Sequence, residues 1–461
     1  MRAVTEKEIS AREMVRASLA AIDRHDGQLN CVVARNDDAA LTAAARVDER
    51  IAAGETVGPL AGVPLLVKDL EDAAGLPTSL GSAALGPAQL APVDHDSVQV
   101  ARLKAAGAIV VGKANTPELG FIARTNNLRF GETRNPWDLH RSPGGSSGAS
   151  AAALAAGLVP LATGSDGGGS IRIPAALCGV SGFKPSLGRV PHGGCEPPAW
   201  HHLDSRGPMA RTTRSIAIAL DAVIGPDPTD LRSLPLPERS WSAAAAQPGL
   251  PMRVAWSPTL GYAPVDSEVL DLCAAAVKRL SQMSVEIEQV DDVFDADPIF
   301  SWVSLVNAYN RRTLSALEDE ARDRLDPDLL TLMGFTETDT VVDVVRAEDE
   351  CHRLNLRLVE LFRRCRLLLC PTTAAVAPKL GASGTIDGAE DPNWVRFTYP
   401  FNMTRSPAGT VCVGYTEAGL PVGLQIVGPQ HADLAVLRAM AAIEDALGVM
   451  RSPPFPAPGR G

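Results

Sequence analysis

The stretch GASAAALAAGLVPLATGSDGGGSIRIPA, residues 148–175, reads as a helix, a buried strand and a glycine loop in direct succession. Alanine favours the helix over 148–157, Gly157 and Pro160 interrupt it, and LVPLATGSD reads as a strand that carries Gly167, Gly168, Gly169 and Ser170 at its tip. Glycines have no side chains, so main-chain N–H groups can crowd onto a ligand. The N–H groups of Gly167 to Ser170 are therefore candidate donors to the oxygen of a carbonyl that Ser170 attacks. The same residues also read as a tight turn with Ser170 as a helix N-cap, and the stretch alone leaves both readings open.

Working outward, the α/β alternation continues. Residues 5–24 read as an amphipathic helix with two possible capping boxes, Thr5 with Glu8 and Ser10 with Glu13. A second helix covers about 37–53, GVPLLVKDL (62–70) reads as a strand, and 98–115 as helix, Gly107, then strand. Apolar residues at 351, 354, 358, 361 and 365 mark a further helix, LLLCPTT and LPVGLQIVG read as buried strands, and a helix closes the pattern. The expected fold is a single large α/β/α sandwich over 1–461, with a central mixed, mostly parallel sheet covered by helices on both faces. Its core is expected at about 60–225 and 366–450, with a helical, substrate-shaping segment at about 226–365. The tail SPPFPAPGRG reads as a proline-rich terminus without a core of its own.

The composition narrows the function. With 45% hydrophobic residues and 21% charged, the 461-residue chain can bury a large core. Its net charge of −11 and 4% aromatic content argue against nucleic acid and anionic membranes as partners. The N-terminus has no apolar signal region, and no apolar run reaches the roughly eighteen residues of a membrane span. Eight scattered cysteines without a Cys-x-x-Cys pair fit free thiols in a reducing cytoplasm. Cys365 and Cys370 flank a strand entry without partners at metal-ligand spacing.

Three motif matches compete. GGSSG (144–148) matches the nucleophile elbow of α/β-hydrolases around Ser146, but a loop rather than a strand precedes it, His352 lies within a helical pattern that suits a solvent-facing or satisfied histidine, and His431 follows a proline turn without a clear orienting acid. SGFK (181–184) matches Ser-x-x-Lys, yet no Lys-Thr-Gly accompanies it, and Lys184 before Pro185 reads as a loop residue. The third combination joins Lys68, Ser146 and Ser170. A lysine within the apolar PLLVKDL can serve as a base if burial lowers its pKa, and it can activate one serine through another. Equally, Lys68 reads as an ion-pair partner of Asp69, Glu71 or Asp72, or as a side chain snorkelling from a strand end.

Taken together, RSPGGSSGASAAALAAGLVPLATGSDGGGSIRIPAALCGVSGFKPSLGRV (141–190), AGVPLLVKDL, VGKANTPELG, FGETRNPWD, SRGPMAR and GLPVGLQIVG resemble the amidase signature family over most of the chain. The resemblance implies Ser170 as nucleophile, Ser146 as a bridging serine after a cis peptide from Gly145, and Lys68 as general base. It implies an oxyanion hole from Gly167, Gly168, Gly169 and Ser170, with Ser165, Asp166 and Arg172 in support. Two positions depart from the family pattern: Ala149 follows Gly148, and Ser165 stands where threonine is usual.

The implied reaction, which needs no metal or organic cofactor, is hydrolysis of small aryl or alkyl amides, with carbamates and esters as further substrates; with its free thiols the chain is expected to be a cytoplasmic monomer or homodimer. EPPAWHH (196–202), FIARTNN (121–127) and RFTYPFN (396–402) are candidate pocket segments. The alternatives are the glutamyl-tRNA amidotransferase component of this family and a non-catalytic scaffold. For the former, EPPAWHHLDSRGPM replaces the Ser-Leu-Asp-Gln type segment usual in that component.

Overall fold

Short apolar runs punctuated by glycine and proline give this chain its strands, and the faces those runs bury set the layers. The computed structural model describes residues 2–195, 197–317 and 319–455. Glu196 of the EPPAWHH segment and residues 456–461 of the proline-rich tail lie outside them.

Thirteen strands are present among the described residues: β1 (Val32–Ala34), β2 (Pro64–Lys68), β3 (Ile109–Ala114), β4 (Leu161–Asp166), β5 (Gly182–Lys184), β6 (Ser205–Met209), β7 (Arg253–Trp256), β8 (Glu286–Gln289), β9 (Leu368–Pro371), β10 (Gly384–Ile386), β11 (Ala389–Asp391), β12 (Ala408–Tyr415) and β13 (Pro421–Val427). They form a five-stranded sheet in the order β1-β3-β2-β4-β6, a six-stranded sheet in the order β5-β12-β13-β9-β7-β8, and a β10–β11 hairpin. A bridge between Ser181 and Ala210 links the two large sheets.

The mixed α/β architecture agrees with the sequence pattern, with less parallel pairing than expected. β2 runs parallel to β3 and β4, and β7 to β8 and β9, whereas β1–β3, β4–β6, β5–β12, β12–β13 and β13–β9 are antiparallel. Only residues 416–420 join β12 to β13. That turn is too short for the crossover a parallel pair requires. The segment 226–365 also contains more than helices, because β7 and β8 extend the larger sheet.

Period-two burial on β2 shows how the layers form. Leu65 and Val67 enter one core with the helices Thr213–Val223 and Asp433–Leu447, while Leu66 enters the opposite core with Ala11–Leu29 and Gly148–Ala155. Lys68 follows on Leu66's face and so points toward the start of the helix Gly148–Ala155. At the N-terminus the second candidate capping box forms: Ser10 Oγ accepts from the Glu13 N–H, and the Glu13 carboxylate accepts from the Ser10 N–H. Among the described residues no helix is long and apolar enough to cross a membrane.

Candidate active site

Lys68 closes β2, where the strand is buried along its whole length. Its Nζ donates to Ser146 Oγ at 2.7 Å and to Ser165 Oγ at 2.9 Å. None of the three acids that could have paired with it does so. Asp69 pairs with Lys113 at 3.0 Å, Glu71 with Arg206 at 3.3 Å, and Asp72 with His95 at 3.2 Å. Burial lowers the Lys68 amine from its ordinary 10.5 to about 8, with Arg206 assisting and Asp204, Glu71 and Asp166 opposing. Ser165, one of the two departures from the family pattern, is thus a direct partner of this amine.

Ser146 lies in a loop before the helix Gly148–Ala155, without the strand an elbow needs, and the Gly145–Ser146 peptide is cis. The Ser147 N–H donates to the Ser170 carbonyl at 3.1 Å, tying this loop to the glycine loop. Among the described residues no side-chain hydrogen bond occupies the Ser170 hydroxyl. Ser170 is not a helix N-cap either: Ile171 holds that place before the helix Arg172–Cys178 and makes no side-chain capping bond.

The glycine loop is held from outside. Trp302 Nε1 donates to the Gly167 carbonyl at 3.0 Å, and Thr398 Oγ1 to the Gly168 carbonyl at 2.6 Å. The C=O and N–H of one trans peptide point in opposite directions. Pinning the Gly167 carbonyl therefore turns the Gly168 N–H away from Trp302. The four candidate oxyanion donors are not equivalent, since Gly169 donates to Asp166 Oδ1 at 2.8 Å. The N–H groups of Gly167, Gly168 and Ser170 carry no hydrogen bond to the described residues. A Cβ on Gly167 would stand 2.3 Å from the Trp200 ring, and Gly169 combines φ +126° with the Thr398 hydroxyl 2.3 Å from such a Cβ. Neither position accommodates a side chain.

Behind the loop, Asp166 and Arg172 form a two-pronged ion pair, Nε–Oδ2 at 2.9 Å and Nη2–Oδ1 at 2.8 Å, both residues fully buried. Burial pushes the Asp166 carboxyl up, but the charge and hydrogen bonds of Arg172 outweigh it and hold the group below the ordinary carboxylate range. The remaining guanidinium N–H groups reach the Thr398 carbonyl, Gln425 of β13 and Asn402. A buried ion pair requires such complete hydrogen bonding.

Two cavities meet at Ser170, sharing Gly120 and Trp200. The smaller, about 100 Å³, is lined by Ser146, Gly167, Glu71, His192, Asp204 and Arg206 among others. The larger, about 490 Å³, has Gly168, Trp302, Val303, Phe335, Trp394 and Tyr399 in its walls. Parts of all three candidate pocket segments contribute: Phe121 to Arg124, Ala199 with Trp200, and Tyr399. Thr398 and Asn402 instead hold the glycine loop.

Lys184 corrects a sequence expectation. It ends β5 fully buried rather than marking a loop, its Nζ donating to the Pro185 carbonyl at 3.1 Å. Burial, with Arg172 nearby, lowers its amine to about 7. Ser181 bonds to Glu444, so the Ser-x-x-Lys match forms no pair. His352 is exposed on its helix. Trp302, Asp204 and Gln425 were not singled out from the sequence. Trp302 sits among Ile299, Phe300, Val303 and Leu305, where a further apolar ring gives no signal of its own.

A model of the Amidase family matches residues 13–437. The acylamidase of Rhodococcus erythropolis is 36% identical over 449 residues, covering 96% of this chain and 93% of that protein. The A component of the glutamyl-tRNA(Gln) amidotransferase of Anaeromyxobacter sp. (strain K) is 34% identical over 482 residues, covering 98% and 96%. The crystal structure of a bacterial aryl acylamidase, described as an amidase signature enzyme, superposes with a TM-score of 0.90 at 33% identity, over 96% of this chain and 94% of that one. Agreement of this extent in both sequence and backbone leaves one conclusion: the chain belongs to the amidase signature family and is an amide-hydrolysing enzyme.

Proposed function

We propose that the chain cleaves carboxylic amides by acyl transfer through Lys68, Ser146 and Ser170, as a stand-alone hydrolase. The observation that carries this reading is the 2.7 Å contact between a buried lysine and Ser146, in the loop tied to Ser170, whose hydroxyl makes no side-chain hydrogen bond among the described residues. With Lys68 neutral the contact reverses, and the Ser146 hydroxyl donates to Nζ. Ser146 then accepts the Ser170 proton as Ser170 Oγ attacks the carbonyl carbon.

The N–H groups of Gly167, Gly168 and Ser170 receive the oxyanion, a stabilisation worth about 2.7–4 kcal/mol per donor in comparable sites. The proton held by the relay passes through Ser146 to the amide nitrogen, and the C–N bond breaks. Water, deprotonated by the same relay, attacks the Ser170 ester and releases the acid. Aryl and alkyl amides are the proposed substrates. Carbamates and esters present the same carbonyl to the same donors.

The test pairs a fluorophosphonate probe with amide hydrolysis. Labelling of wild type at Ser170, with labelling and turnover both lost in Ser170→Ala and Lys68→Ala, is the expected result. Full activity in Lys68→Ala would exclude the lysine as base. Turnover that required a second protein and an acceptor carboxyl group for the released ammonia would favour the amidotransferase reading, against which the net charge of −11 weighs.

A further inference from the structure

The two cavities differ in size, in chemistry and in which part of the proposed relay they touch. Ser146, which hands the proton to the departing nitrogen in that reading, lines the small cavity and is absent from the walls of the large one. Nitrogen must leave on the side from which it is protonated. The amine half of the substrate therefore faces the small cavity, and the acyl half turns to the large one.

Size sharpens this assignment. At about 100 Å³ the small cavity is below the ~150 Å³ that admits one benzene ring. The large cavity, at about 490 Å³, exceeds that several times. Chemistry agrees. The small cavity's walls carry the Asp204 carboxylate, which accepts no hydrogen bond from the described residues. His192 Nδ1 lies 3.4 Å from it and Arg206 Nε 4.0 Å, and both nitrogens are buried without a hydrogen-bond partner among the described residues. Arg206 Nη2 donates to His192 Nε2, and burial with Arg206 and Arg232 nearby lowers the His192 pKa well below the ordinary value, so the ring is neutral and its Nδ1 carries the proton toward Asp204. A carboxylate free to accept in a small space suits the N–H groups of ammonia or a small amine. The large cavity presents Trp302, Phe335 and Trp394, which suit a ring.

We infer that Ser170 divides its substrate between the two cavities, the larger one taking an aryl-bearing acyl group and the smaller one the amine, so that the substrates are primary or small-amine amides of aryl-substituted carboxylic acids. This inference rests on the proposed acyl-transfer reading. The balance is that of hydrolysis. The acyl C–N bond breaks as the acyl carbon bonds to Ser170 Oγ, the Ser170 proton leaves with nitrogen, and one water then supplies OH to the acid and H to the serine.

An isomer pair tests it with the wild-type protein. 3-Phenylpropanamide carries its ring on the acyl side and releases ammonia, whereas propionanilide carries the ring on the amine. Aniline is the better leaving group, so intrinsic reactivity opposes the expected order. The expected kcat/KM for 3-phenylpropanamide exceeds that for propionanilide by about 100-fold, forcing a ring into too small a space costing as much as overpacking a core. Equal rates, or a preference for propionanilide, would overturn the assignment of the cavities. Turnover of neither isomer, with Ser170 still labelled by a fluorophosphonate, would also overturn it while leaving the acyl-transfer reading intact. Absence of both turnover and labelling would overturn the acyl-transfer reading itself.

Discussion

The glycine loop with its supports, residues 144–184, and the helical wall over residues 299–335 face each other across Ser170, and they are built on opposite plans. In the first, backbone meets aromatic rings so closely that a Cβ has no room at Gly167, and a buried arginine has a partner on every side. In the second, Phe300 is 72% exposed and Phe335 68%, with side chains turned toward a roomy cavity. Proton relay and oxyanion binding tolerate errors of only a fraction of an ångström. Recognition of an apolar group depends on area and shape and tolerates more. The contrast implies steep losses of kcat on one side of Ser170 and shallow changes of KM on the other.

The largest expected effect comes from Lys68→Ala. Loss of the base lowers kcat by about 10⁴-fold, the upper range for general base catalysis, because both acylation and deacylation use it. Single-turnover kinetics would resolve the two steps, and a loss confined to one of them would break the idea of a shared relay.

Next is Asp166→Asn, which leaves Arg172 buried without its counter-charge. A broken buried pair costs about 3–5 kcal/mol of stability, and an NH2 in place of the oxygen that accepts from Gly169 or the one that accepts from Ile171 disorders the oxyanion donors. The expected outcome is a clear fall in Tm together with a hundredfold or greater loss of kcat, on the order of one missing oxyanion donor. An unchanged kcat in the folded fraction would show that the loop keeps its shape without the carboxylate.

The pH profile is a smaller effect with a definite sign. Burial lowers Lys68 to about 8, and the base form is the neutral amine. Below that value kcat/KM therefore rises about tenfold per pH unit, and above it the profile levels off. Asp204, Glu71, Asp166 and Arg206 act on the same amine, and Asp204, raised by burial to about 6, ionises within the rising limb. The linkage runs the same way for stability. A lysine whose folded pKa is lowered costs stability while charged, and that cost is relieved as pH rises from about 8 toward 10.5. A profile falling between pH 6 and 8 would exclude a neutral lysine as the base.

How far each region was legible in the sequence follows the same division. Lys68 stood out because a charge interrupts an apolar strand, and Ser146 and Ser170 because glycines crowd around them. Those are local signals, and the residues they marked lie around one point in the structure. The donors holding the glycine carbonyls were not legible. Trp302 and Thr398 are distant in sequence, and a single N–H or O–H aimed at a carbonyl leaves no pattern of its own. The commitment of the Gly169 N–H to Asp166 depends on a φ of +126° that no spacing reveals. β8 escaped for another reason: EIEQ lies at a sheet edge and is only partly buried, so it lacks the apolar run that marked β2, β4 and β13.

Trp302 belongs to both regions and so tests the boundary between them. Trp302→Phe keeps a ring in the cavity wall and loses the donor to the Gly167 carbonyl. One hydrogen bond, worth about 1 kcal/mol, corresponds to roughly a fivefold fall in kcat with little change in KM for an aryl-bearing amide. A change in KM alone would place this tryptophan with the tolerant wall, and the indole N–H would have no part in shaping the loop.

The smallest effect is expected at Phe335. Full burial of such a side chain is worth about 1.5–3 kcal/mol, and with 68% of this one exposed only a third of that is at stake, about 0.5–1 kcal/mol. Phe335→Ala should then raise KM for an aryl-bearing acyl substrate about two- to fivefold with kcat held. The split between the two constants decides the matter, because a contact made equally in the ground state and the transition state moves KM alone. If kcat fell in proportion, Phe335 would be positioning the carbonyl against the glycine loop, and the helical wall would share the demand for precision that its exposed side chains argue against.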